Sequence, residues 1–138
     1  MELIQRRRGL IGSKGEPDPD RNLFNPAEHT MKAQHMINYT TGGLTGLSNT
    51  TRKYVETYVR VRPQTEYIIS TGLGTFGTGS NFGTAFYDAD KTYISGFANN
   101  GSNSMQFTTP ADCTFLRFSL VASESIQEVI SEITLKYA

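Results

Sequence analysis

The stretch Gly83-Thr84-Ala85-Phe86-Tyr87-Asp88-Ala89-Asp90-Lys91-Thr92-Tyr93-Ile94-Ser95-Gly96-Phe97 limits the fold more than any other. Aromatic and β-branched residues suited to extended chain stand on both sides of a short polar run, Asp88 to Lys91. The pattern predicts a β-hairpin. Aspartate suits the reversal because its short carboxylate can accept from backbone two residues on, and Ala89 and Lys91 add nothing that must be buried. A hairpin alone is marginal in water, so other strands have to cover it.

Those strands can be read in chain order. Ala27 to Asn38 has a mostly polar helical face and is expected to be irregular chain or a short strand around Met36-Ile37. Thr40 to Thr51 reads as a loop with a brief strand near Leu44 to Leu47. From Tyr54 the period becomes two. Val55, Thr57, Val59 and Val61 alternate with Tyr54, Glu56, Tyr58 and Arg60, which predicts one half-buried strand, followed by a second at Glu66 to Ser70. Thr71 to Asn81 is expected to be a mobile loop, and its glycines are too irregular for a dinucleotide fingerprint. Ala98 to Met105 reads as another polar loop. Thr114 to Leu120 is a strong strand with Leu116, Phe118 and Leu120 on one face. Ile126 to Tyr137 carries Val129, Ser131, Ile133, Leu135 and Tyr137 at period two and is expected to be a C-terminal strand, with a helix through Ile126, Val129, Ile130 and Ile133 as the competing reading. Turn-separated strands without crossover helices imply an all-β fold, an antiparallel two-sheet sandwich, over residues 22–138.

Residues 1–21 read as an extended arm in front of that domain. Gly12, Gly15, Pro17 and Pro19 oppose helix and sheet alike. Arg6, Arg7 and Arg8 admit two readings, a solvated charge run or an anchor that orders on a partner, with Leu3, Ile4, Leu10 and Ile11 supplying apolar contact. The 138-residue chain is formally neutral, with four basic and four acidic residues in positions 1–20 and nine of each after them. No global attraction to nucleic acid or anionic membrane is expected. No stretch approaches the ~18 apolar residues of a membrane helix. The short apolar runs around Arg6 to Arg8 do not make a signal peptide, so the expectation is synthesis in a cytoplasm. The lone Cys113 reads as a small buried residue.

Asn22-Leu23-Phe24-Asn25-Pro26 comes first, then Tyr58-Val59-Arg60-Val61-Arg62-Pro63 with Thr65 to Ser70, then Ala85 to Gly96, then Phe107 to Asp112 with Phe115-Leu116-Arg117-Phe118-Ser119. In this order the motifs resemble the carbohydrate-binding-like β-sandwich modules of bacteriophage structural proteins. The resemblance covers about residues 22–137. It implies a jelly-roll sandwich and residence in a virion, in tail, baseplate or fibre, or on the head. Because the module stands almost alone behind a short arm, the resemblance points to an auxiliary or decoration protein of the capsid, made in the host bacterial cytoplasm. Its partners would be the major capsid protein or other virion subunits, with homo-oligomers in the virion and a polysaccharide as a further partner. The alternative is a glycan-binding adhesion module of a phage tail, baseplate or head fibre.

Tyr54, Tyr58, Tyr87 and Tyr93 are the candidate glycan-facing residues, competing with the ordinary role of tyrosine in sandwiches, ring buried and hydroxyl wet. Asp88, Asp90 and Asp112 lack the spacing of a known calcium loop and read as turn formers. His29 and His35 lack further zinc-ligand partners and read as surface or loop residues. Glu56, Glu66, Glu128 and Glu132 are expected on the solvent faces of strands, and no catalytic pair can be nominated among them. Arg117 is expected to be a surface cation or the partner of a carboxylate. Neither enzyme activity nor a cofactor or metal is expected.

Overall fold

One carboxylate holds the central reversal. In the computed structural model, which describes residues 21–138, Asp88 Oδ1 accepts from the backbone N–H groups of Asp90 (2.9 Å) and Thr92 (3.0 Å). Lys91 takes the left-handed conformation at φ 65° that completes the turn. The hairpin is as the composition predicts. The described strands are β1 (Met31–Ala33), β2 (His35–Ile37), β3 (Leu44–Gly46), β4 (Arg52–Val55), β5 (Val59–Arg60), β6 (Glu66–Thr71), β7 (Gly83–Tyr87), β8 (Tyr93–Ala98), β9 (Ser104–Thr108), β10 (Phe115–Val121) and β11 (Ile133–Tyr137). A 3-10 turn spans Pro26–Glu28, and helix α1 spans Ile126–Ser131.

The chain is all-β and sandwich-like. The larger sheet runs β1-β4-β10-β7-β8, with β5 also paired to β10; the smaller runs β11-β6-β9; β2 and β3 form a separate ribbon. Every pairing is antiparallel. Four of the pairings nest. Tyr87 opposes Tyr93 at the centre, Glu66 opposes Thr108 outside it, and Arg60 and Arg52 oppose Phe115 and Val121 outside that.

Alternation along β10 builds the core. Leu116, Phe118 and Leu120 are fully buried between the sheets, where they meet Tyr67 and Ile69 of β6 and Leu135 of β11 in one cluster. Cys113 is fully buried there too, as its small apolar character predicts, and burial pushes its thiol up to about 11. Asn22 and Leu23 close the β11 edge. Leu23 N donates to Leu135 O (2.7 Å), and Leu135 N donates to Asn22 Oδ1 (2.9 Å). The arm residues Leu3, Ile4, Arg6, Arg7, Arg8, Leu10 and Ile11 lie outside the described residues.

Four local expectations are corrected. The strand from Tyr54 to Val61 breaks at Glu56 to Tyr58: four residues, Val55 to Tyr58, stand against only Arg117 and Phe118 of β10. Competing bonds open it, because Glu56 N donates to Thr30 O (2.8 Å) and Thr57 Oγ1 accepts from Thr30 N (3.1 Å). The C-terminal segment divides into α1 and then β11. Ser125 and Glu128 form a reciprocal capping box that starts the helix, so Glu128 caps a helix and does not line a strand. The glycine-rich loop is fastened at its middle: Phe76 is fully buried against Phe118, and Thr75 and Val121 exchange backbone bonds of 2.9 and 2.8 Å. Strand β1 was not anticipated, since three residues are too few to show a period.

Candidate binding site

The outer face of the larger sheet is divided by side-chain size. Alternation on β10 turns Phe115, Arg117 and Ser119 away from the core. Register then sets Tyr87 and Arg60 beside Phe115, Ala85 beside Arg117, Gly96 beside Ala85, Tyr93 beside Tyr87, and Tyr54 beside Ser119. Where these residues are small, the β2–β3 ribbon lies down on the sheet. Ile37, fully buried, donates its N–H to Ser119 Oγ (2.7 Å). A side chain at Gly96 would strike the carbonyl oxygens of Tyr39 and Thr84, so the approach depends on glycine. Tyr93 Oη donates to Tyr39 O (2.6 Å), and Tyr87 Oη to Gly42 O (2.6 Å) at the ribbon's turn, where Gly42 has φ 76°.

Where the residues are large, cations and rings interleave. Arg117 is only 8% exposed. Its Nε donates to Tyr87 Oη (3.1 Å), Nη1 to Glu56 O (3.1 Å) and Nη2 to Gly42 O (3.0 Å). Its guanidinium carbon stands 4.5 Å from the ring centre of Tyr58 and 5.1 Å from that of Tyr87. Tyr58 in turn meets Tyr87 and Phe115 edge-on, with centroids 4.9 and 5.9 Å apart. Lys91 Nζ lies 5.1 Å from the Tyr58 ring centre and 5.7 Å from that of Phe115, and Arg60 lies 5.0 Å from Phe115. The result is a ladder: Arg117, Tyr58, Lys91, Phe115, Arg60. Contacts of this kind contribute roughly 0.5–1 kcal/mol when exposed and about 2 when desolvated. Among the described residues the recorded ion pair is Lys32 with Glu56, at 3.1 Å, and no carboxylate pairs with a cation of the ladder.

The ladder corrects the expectation for Arg117, whose partners are carbonyls and aromatic rings. Burial pushes the Tyr87 phenol up, and the adjacent guanidinium acts against that rise. It also changes the reading of the tyrosines. Tyr58, Tyr87 and Tyr93 meet ring against ring, and Tyr54 belongs to the same cluster, its own ring edge-on to His35 with centroids 6.0 Å apart. Tyr54 and Tyr87 are 3% and 2% exposed, so neither can offer a ring face to a sugar. Both are buried because the ribbon covers a face that a two-sheet reading leaves to solvent.

Beside the ladder, a groove of about 460 Å³ continues past Arg60 to Arg62, with Leu23 and Tyr137 on its walls. The Arg62 guanidinium stands 5.6 Å from the Tyr137 ring centre. A shallower hollow adjoins this groove, sharing Pro63, Cys113 and Thr114 with it, and holds Asp88, Asp90 and Asp112. Asp88 is committed to the turn amides and Asp112 sits in a turn at φ 65°, in keeping with the turn-former reading. Among the described residues no three His, Cys, Asp or Glu side chains are grouped to hold a metal.

Two further ionisable groups are structural in their contacts. Lys53, 5% exposed, donates Nζ to the carbonyls of Ala122 and Thr50 at the end of β10; burial pushes its ammonium down, and Glu124 acts against that. His29 is half-buried, stacked on Phe24 at 4.8 Å, with Nδ1 2.8 Å from Thr57 Oγ1. Burial pushes its imidazole below the ordinary value, with Glu28 acting the other way. Sequence reasoning missed the convergence of Arg60, Lys91, Phe115 and Arg117, because no short-range pattern joins positions that only sheet register brings together. Comparison with family models, with curated proteins and with solved structures finds no match.

Proposed function

We propose that this chain is a structural protein of a bacteriophage virion, an auxiliary or decoration protein of the capsid surface. In this reading the arm, through Ile11, docks on the major capsid protein or neighbouring subunits, and the sandwich faces outward. The observation that carries the proposal is the resemblance of four ordered motifs to phage structural modules, and the placement of those motifs supports it. Three of them fall on β5 and β6, on β7 and β8, and on β9 and β10, strands that take part in the nested pairs, and the first, Asn22 to Pro26, precedes β1 and bonds to β11. Nesting of that kind is how a jelly roll winds, the fold the resemblance implies. The role requires no catalysis, and repeated subunits on a shell raise the effective concentration of each weak arm contact. The test is to locate and count the protein in purified particles. Many copies on the head, lost on deletion of residues 1–12 while the sandwich still folds, are the expected result. Absence from particles would overturn the reading.

A second reading, a glycan-binding module of a tail, baseplate or head fibre, is favoured by the unneutralised ladder and its adjoining groove. It expects saturable binding to some polysaccharide. A broad panel without a binder would end it.

A further inference from the structure

We infer that the ladder and its groove form a site for an acidic polysaccharide, one bearing carboxylate, sulfate or phosphate groups along its length. The inference rests on the glycan-binding reading and specifies its ligand. Three observations lead to it. Arg60 and Lys91 stand over Phe115, and Lys91 and Arg117 over Tyr58, so these rings already carry cations and are poorly placed to stack on neutral sugars. Among the described residues the cations form no ion pair with a carboxylate, which leaves Arg60 and Lys91 with their charges free for an anionic ligand. The cations also extend beyond one point: Arg60 borders the groove that leads to Arg62 over Tyr137, and its volume, about 460 Å³, lies within the usual range for ligand sites.

The roles divide by exposure. Arg60 and Lys91 are exposed and would contact the ligand, the guanidinium as a fork suited to an oxyanion and the ammonium as a point charge. Arg117, 8% exposed, bonds Tyr87, Glu56 and Gly42 through its three nitrogens and is a positioning residue that holds Tyr58 beneath Lys91. Asp90 and Asp112, in the hollow that shares Pro63, Cys113 and Thr114 with the groove, repel anions and would confine the polymer to the Arg60, Arg62 and Tyr137 side. A protein partner would be expected to bury aromatic or apolar anchors at the centre of its interface; here the central rings are covered by cations. A nucleic acid would call for a longer row of phosphate contacts.

The test uses the full chain and four probes at matched mass: dextran, polygalacturonate, dextran sulfate and polyglutamate. Expected is saturable binding to polygalacturonate or dextran sulfate but to neither dextran nor polyglutamate, weakened about tenfold or more between roughly 50 and 300 mM salt. R60Q and K91Q should each lower affinity by roughly fivefold to tenfold, and the double variant should abolish it. Lys32→Gln, which removes an exposed charge on β1, should leave affinity unchanged; unaltered thermal unfolding would show that the variants are folded. Equal binding to dextran, insensitive to Arg60 and Lys91, would overturn this inference and leave the glycan reading standing. No binding to any saccharide would overturn both. Acidic-polysaccharide binding retained in the double variant would overturn the site, and equal binding to polyglutamate would overturn the ligand class.

Discussion

Arg117 shows how a charge can be buried here without an opposite charge. Carbonyls of Glu56 and Gly42 and the Tyr87 hydroxyl take its donors, and two rings take its faces. Arg117→Ala would leave Glu56 O without that donor and open space beneath Tyr58, so a loss of about 2–3 kcal/mol is expected, read as a lower urea midpoint. Arg117→Lys should recover little of it, since an ammonium cannot reproduce the planar fork. Side-chain direction at this position was legible: strand period alone put Arg117 opposite Leu116 and Phe118. Its burial was not legible, because the cover comes from the β2–β3 ribbon, some eighty positions earlier in the chain. His29 supplies a pH dependence. Its imidazole in the folded chain titrates below the ordinary value because burial disfavours the charged ring, so through that window the unfolded chain binds more protons. The stabilising contribution is therefore present above the unfolded value near 6.5 and is lost as pH falls through the folded one. A urea midpoint that drops between about pH 7.5 and 5, with part of the slope removed in His29→Gln, is the expected result.

Helix α1 marks the limit of period-two reading among the elements. Val129, Ser131, Ile133, Leu135 and Tyr137 do alternate, yet the first two belong to a helix. The signal that separates them is Ser125 three places before Glu128, a capping box that supplies the helix with reciprocal bonds at its start. Ser125→Ala should cost about 1 kcal/mol and shift the thermal midpoint down by a few degrees, without changing the sheets seen by circular dichroism. The hairpin, β6 and β10 were legible because each contains enough alternating or aromatic residues to declare a face. The interruption at Glu56 to Tyr58 was not, since its causes are Thr30 and Arg117, neither of which is local. The same interruption carries Tyr58 off the line of the strand and into reach of both Arg117 and Lys91. A feature hidden from the sequence thus shapes the site.

At the scale of the molecule, the antiparallel all-β class followed from turns and periods, whereas the division into a six-stranded sheet, a three-stranded sheet and a ribbon depended on which outward residues were small. Ala85, Gly96 and Ser119 look unremarkable in a row of letters; together they form the bed on which the ribbon rests. The nested pairs also make most sheet contacts distant in sequence, so folding in milliseconds to seconds is expected in stopped-flow refolding. Nesting has a practical consequence for chain connectivity. The Asp88 to Thr92 turn is the innermost point of the nest, and Asn22 is bonded to β11 close to the C-terminal Ala138. Beginning and end of the folded part therefore adjoin, so the order in which the ribbon of chain is read can be changed while its neighbours stay the same. A circular permutant that joins Ala138 to Met1 and opens between Asp90 and Lys91 keeps every sheet pairing, with residues 1–21 as the connection. It should refold with a native-like spectrum, which would show that the sandwich is held by which strands lie side by side and not by the order in which they are joined.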